Sequence, residues 1–293
     1  MLATFALAVL ALVQSEGPDT TIAVQRGQRL ELHAHAGEIT VRTWARNALR
    51  VRADLDANGR LNINQGSSVV IVGASDRHGR LPEVTFDVTV PTWMEVSLSG
   101  VNASMRVEGV AAPITAETID GDVTVTGGEG NVSLRSVQGA VALTGAKGRI
   151  SASSVNSDVT VRGATGEVRA ETVNGEIQLE HIESNEVDAN TVNGDIVYDG
   201  VIRKNGSYSF ATHSGDVTVT VPEGTDATVA VSSFQGDFES SFPVTLRERR
   251  GRRFNFTLGA GSARVNLESF QGTIRLVRPG AIRDRAKGES RQE

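Results

Sequence analysis

Apolar and polar positions alternate along most of this chain, and in its middle the alternation itself repeats. Val123-Thr-Val125, Val141-Ala-Leu143, Val159-Thr-Val161 and Ile177-Gln-Leu179 each set apolar side chains two apart, the period of a strand with one buried face. Their surroundings recur with them. Near-copies run Thr118-Ile-Asp-Gly-Asp-Val-Thr-Val125, Ser136-Val-Gln-Gly-Ala-Val-Ala-Leu143, Ser154-Val-Asn-Ser-Asp-Val-Thr-Val161, Thr172-Val-Asn-Gly-Glu-Ile-Gln-Leu179 and Thr191-Val-Asn-Gly-Asp-Ile-Val-Tyr198, with looser copies from Thr212, Ser233 and Ser269. The fourth place holds Gly or Ser at 121, 139, 157, 175, 194, 215 and 236, in steps of 18, 18, 18, 19, 21 and 21. A weaker half-unit lies between the copies, as in Gly130-Asn-Val-Ser-Leu134 and Gly148-Arg-Ile-Ser-Ala152, so inward candidates fall almost every nine residues.

One such unit cannot bury its apolar side alone, but equivalent units stacked about 4.8 Å apart build a continuous core. The spacing therefore predicts an all-β fold, a parallel β-solenoid (β-helix) of about 18-residue coils over residues 111–278. An antiparallel sandwich also has short strands and turns, yet gives no reason for like residues to recur at a fixed interval. Residues 19–110 alternate without a fixed period and read as an N-terminal β cap region. Past residue 220 the coils lengthen and gain phenylalanine, and 282–293 is a charged tail expected to be disordered.

Composition agrees with strands, since 37 Val against 18 Leu is an excess of the β-branched residue. The absence of cysteine excludes disulfides, a thiol nucleophile and Cys-based zinc sites. A net charge of −6 argues against nucleic acid as a partner. Leu2 to Val13 is apolar except for Thr4, too short to span a bilayer and suited to the core of a secretory signal over residues 1–15, although no Lys or Arg precedes it. No later stretch approaches a membrane span, so the mature chain is expected to be soluble and exported, to the periplasm, the cell surface or the medium.

The Thr/Ser-Val-Asn-Gly-Asp-Ile-x-Val repeats, the leading apolar run and the aperiodic N-terminal β region resemble a bacterial family. It is the putative-adhesin family of unknown function, β-strand-repeat proteins akin to autotransporter adhesin head domains. The likeness covers about residues 20–278. It implies a fold, and no catalytic residues come with it. The central coils also resemble bactofilins, but an exported start argues against a cytoplasmic filament.

Candidate chemistry is sparse. Asp122, Asp158, Glu176, Asp195, Asp216 and Asp237 form an acid row after the corner, read as turn residues bonding nearby backbone. The Gly127-Gly-Glu-Gly130 segment lacks the Asp of a calcium roll, and His33 with His35 lacks a third ligand for zinc. No metal site, phosphate loop, catalytic residue or cofactor is therefore expected. Arg247-Glu-Arg-Arg-Gly-Arg-Arg253 is the sharpest local feature, a predicted hairpin with Gly251 at its tip. Its Arg247, Arg249, Arg250, Arg252 and Arg253 could engage an anionic partner, or could simply discourage aggregation. The sequence thus points to an exported, non-enzymatic structural or adhesin-like protein with an extended interaction surface. Its partners would be cell-envelope polymer, glycan or another envelope protein, and its oligomeric state is left open. The alternative is a carbohydrate-active lyase or hydrolase of β-helix type, which a local cluster of acid, Arg and aromatic groups would favour.

Overall fold

The computed structural model describes residues 18–280 apart from 56–57, 77–80, 245 and 251–252. The signal-like run 1–15 and the charged tail 282–293 lie outside the described residues. All regular structure within them is β-strand, with no helix.

The repeated valines lie in one column. Val123, Val141, Val159 and Ile177 are successive partners in a parallel ladder, and Ile177 pairs on to Ile196, Val217 and Ile274. The half-units build a second parallel ladder through Ile114, Val132, Ile150, Val168, Val187, Tyr208 and Val265. Both columns are buried and share one continuous core with Leu134, Leu143, Leu179 and Phe210. Since only alternate residues point inward, the rest of each strand is left for the surface.

The corner between the two ladders explains the Ser/Thr that opens every repeat. Ser136, Ser154, Thr172, Thr191 and Thr212 are buried. Each hydroxyl donates to a carbonyl of the preceding turn: Ser136 to Gly121 at 2.9 Å, Ser154 to Gly139 at 2.9 Å, Thr172 to Ser157 at 2.9 Å, Thr191 to Gly175 at 3.1 Å and Thr212 to Gly194 at 2.9 Å. The chain bends there, and the hydroxyl supplies a hydrogen bond that a buried carbonyl needs. Glycine follows because the turns touch: a Cβ at Gly139 would overlap the Gly121 carbonyl, and one at Gly175 the Ser157 carbonyl.

The parallel stack does not stop at residue 110. Glu95–Val110 pairs with Ile114–Glu117 and Val123–Gly127, and on its other side runs parallel to Arg29–Trp44. Val69–Asp76 and Glu83–Pro91 then add parallel to Arg29–Trp44. Antiparallel strands finish this end, with Gly59–Gln65 on Val69–Asp76, Ala48–Asp54 on Glu83–Pro91 and Asp19–Ala23 on Ala48–Asp54. The far end is built out of chain order. Ala263–Gln271 and Ile274–Val277 insert beside Ser207–Ser214 and Val217–Thr220, which pushes Ala227–Ser233 and Phe238–Ser240 to the outside. The spatial neighbour of Gly215 is thus Gly272 and not Gly236.

Ser154→Ala removes the donor to a buried carbonyl and is expected to cost about 1–3 kcal/mol. Gly139→Ala, which drives a methyl into backbone, is expected to cost more than Ser154→Ala. Thr160→Ala, on the outward side of the same turn, should stay within about 0.5 kcal/mol. Denaturant midpoints of the three variants check this ranking.

Candidate functional site

The acid row is tied into the fold. Asp122 Oδ1 accepts the Ala140 N–H at 2.8 Å, Asp158 Oδ1 that of Glu176 at 2.8 Å, Asp195 Oδ1 that of Asp216 at 2.7 Å and Asp216 Oδ1 that of Thr273 at 2.7 Å. Each aspartate thereby staples one turn to the next, and Asp216 also pairs with Arg275. Glu176 departs from the pattern. Its extra methylene turns the carboxylate back to Gln178 Nε2 at 3.1 Å, and burial, then Asp195 and Asp158, push its pKa up.

Beside the staples runs a row the sequence reading passed over. The residue after each corner hydroxyl is apolar and points outward: Ile119, Val137, Val155, Val173 and Val192, of which Ile119, Val173 and Val192 are 52%, 39% and 43% exposed. The next residues form an amide ladder, with Asn156 Nδ2 donating to Gln138 Oε1 at 3.1 Å, Asn174 to Asn156 at 2.9 Å and Asn193 to Asn174 at 2.9 Å. The signal was present in the repeat, because an apolar residue beside a turn is out of place unless something covers it.

Towards the far end the apolar row turns aromatic. His213, Phe270 and Phe234 stack face to face, with centroids 4.7 and 4.6 Å apart and planes within 8° and 7°. These rings border a trough of about 750 Å³ that is lined as well by Asn190, Ala211, Ser232, Arg253 and Glu268. A second hollow of about 550 Å³ continues it over Ser209, Ala230, Asn255 and Asn266. The floor is the outward side of five paired strands, in which Asn190, Ala211, Glu268, Ser232 and Arg253 lie side by side in register. Small residues make the depression, and long polar ones rim it.

The arginine segment stands at one edge of this trough. Leu246–Arg250 and Arg253–Leu258 pair antiparallel, and Arg253–Leu258 pairs antiparallel with Ala227–Ser233. The predicted hairpin is therefore part of the end of the sheet. Its tip, Gly251 with Arg252, and the side chains of Arg247, Arg249 and Arg250 lie outside the described residues. Arg253 is exposed and its Nε donates to Ser232 Oγ at 3.3 Å. Elsewhere, His33 is hydrogen-bonded to Ser99, and among the described residues no group of three His, Asp or Glu side chains is arranged to hold a metal ion. No helix among them is long and apolar enough to cross a membrane.

The profile of the family described as Toastrack DUF4097 matches residues 13–277. Solved structures similar to this chain include a putative adhesin from Parabacteroides merdae, 14% identical over 90% of this chain and 98% of that one, with a TM-score of 0.44. Another is a putative adhesin from Bacteroides fragilis, 13% identical over 89% and 96%, TM-score 0.41. A third is a putative lipid binding protein from Parabacteroides distasonis, 12% identical over 90% and 98%, TM-score 0.45. No curated protein matches the chain.

The raised pKa of Glu176 sets a sign. A carboxyl that holds its proton more tightly when folded favours the fold below its unfolded pKa, and that contribution is lost as pH rises through the folded value. Glu176→Gln is therefore expected to gain stability relative to the natural chain as pH rises from about 4 to 7. Melting temperatures of both proteins across that range provide the check; a constant difference would refute the assignment.

Proposed function

The chain belongs to the Toastrack DUF4097 family, and on that premise we propose that it is an exported, non-enzymatic, adhesin-like protein whose stack presents an extended interaction surface. The observation that carries this reading is the outward apolar row Ile119, Val137, Val155, Val173 and Val192, exposed at Ile119, Val173 and Val192 and half-buried at the other two, flanked by its amide ladder and continued by stacked rings. A continuous apolar row beside regularly spaced amides suits attachment along a line of repeated contacts, each weak and together strong. We read the stack as a parallel β-solenoid of about 18-residue coils, with the antiparallel strands within 19–110 capping one end. Export follows from the signal-like run over 1–15.

The arginines Arg247, Arg249, Arg250, Arg252 and Arg253 are the second element of the proposal. Placed on an end strand, they oppose pairing with another sheet and offer guanidinium groups to anionic envelope polymer or an acidic partner protein. The enzyme alternative gains some support from the trough, where acid, Arg and aromatic groups meet on one face. However, among the described residues Glu268 is the one carboxylate lining it, and glycoside hydrolysis normally engages two about 5–9 Å apart. Binding without turnover fits the residues better.

Retention of the purified chain on cell-envelope fractions tests both elements. The combined change Val155→Ser, Val173→Ser and Val192→Ser is expected to weaken retention at least tenfold with little change in melting temperature. Retention equal to that of the natural chain would remove the row from the proposal. Replacing the five arginines with glutamine should lower retention and flatten its salt dependence; an unaltered salt profile would remove the arginines.

A further inference from the structure

Along the earlier rungs several outward charged side chains pair with one another: Lys147 with Glu129 at 3.8 Å, Arg149 with Glu167 at 3.0 Å and Arg169 with Glu171 at 2.6 Å. At the trough Asn190 bonds to Asp188 at 2.8 Å and Arg253 to Ser232 at 3.3 Å, and other polar groups are left open. Among the described residues the side chains of Glu268, Asn266 and Asn255 have no hydrogen-bonding or ionic partner, and the positions between them shrink to Ser209, Ala211 and Ala230. The depression is thus set among polar groups, three of them unpaired, with a wall of aromatic rings on one side.

We propose that this trough is a saccharide-binding site that takes a short oligosaccharide laid across the rungs. The inference rests on reading the chain as a binding protein, and it names the ligand class. Carboxylate, carboxamide and guanidinium groups are planar and can each form two hydrogen bonds to neighbouring hydroxyls. Alanines on the floor and the rings of His213, Phe270 and Phe234 on one side offer apolar contact to the C–H surfaces that a sugar ring also carries. Strand addition by a peptide is blocked, because each strand of the floor already has neighbours on both sides. Five strands about 4.8 Å apart make the trough roughly 20 Å long, enough for several sugar units.

The full chain is tested on an array of soluble neutral and uronic-acid-containing oligosaccharides, with melting temperature followed for every variant. Glu268→Ala and Asn266→Ala change exposed side chains, so each should keep the natural melting temperature and lose about tenfold or more in affinity. His213→Ala should weaken neutral ligands, and Arg253→Gln should weaken uronates selectively if they are the preferred class. The triple valine variant should bind saccharide as the natural chain does. Absence of saccharide binding, or binding untouched by Glu268→Ala and Asn266→Ala, overturns the site. If retention on envelope fractions persists in that case, the interaction-surface reading survives without it; if retention is absent as well, both fall.

Discussion

The fold depends on how the chain turns its corner once per rung. A stack of parallel rungs brings backbone against backbone at each bend, where ladder geometry cannot be kept. Two residues resolve this together. A buried Ser or Thr hydroxyl meets a carbonyl of the preceding turn, as Ser154 does to Gly139 at 2.9 Å. A glycine such as Gly139 lets the next rung approach to backbone contact. Loss of either leaves a buried polar group unpaired or holds the rungs apart, and the valine columns behind the corner then lose their close packing. The aspartate staples on the solvent side repeat the principle with exposed amides.

A parallel stack has two open ends, each a row of unpaired backbone groups and so a template for aggregation. The same device closes both. Antiparallel strands cover the N-terminal end through Ala48–Asp54 and Gly59–Gln65, and the far end through Arg253–Leu258 with Leu246–Arg250. An arginine-rich strand at such a place has a structural use whether or not it also meets a partner. The out-of-order insertion of Ala263–Gln271 belongs to this closure: it carries the chain back into the stack and leaves Ala227–Ser233 outermost, where the antiparallel strand can join.

That insertion also creates the most distinctive surface. It sets Phe270 between His213 and Phe234, and Glu268 between Ala211 and Ser232. Residues separated by more than fifty positions thereby become neighbours on one face. The long middle of the stack, by contrast, is more uniform, with its aspartates engaged by backbone, its amides by one another and its apolar row facing outward. Regular rows suit attachment along a line, whereas a local break suits a defined ligand.

The sequence by itself determined the strands, their inward faces and the stacking of the middle rungs. A fixed interval between like residues leaves a parallel stack few alternatives, and Val123, Val141, Val159 and Ile177 align as that interval requires. That the acid row would bond backbone was legible too, but not its partners, which are amides of the next rung 18 or more residues away and not those of the same turn. The exposed valine row was written in every repeat, but apolarity alone reads as core, and only the coordinates put its side chains outside. Tertiary structure alone decided the order of the last rungs, the pairing of Glu95–Val110 with Arg29–Trp44, and the trough. Periodicity registers neighbours at a constant separation along the chain, whereas these features join segments whose separations match no period, held together by hydrogen bonds between strands that the linear sequence does not bring near.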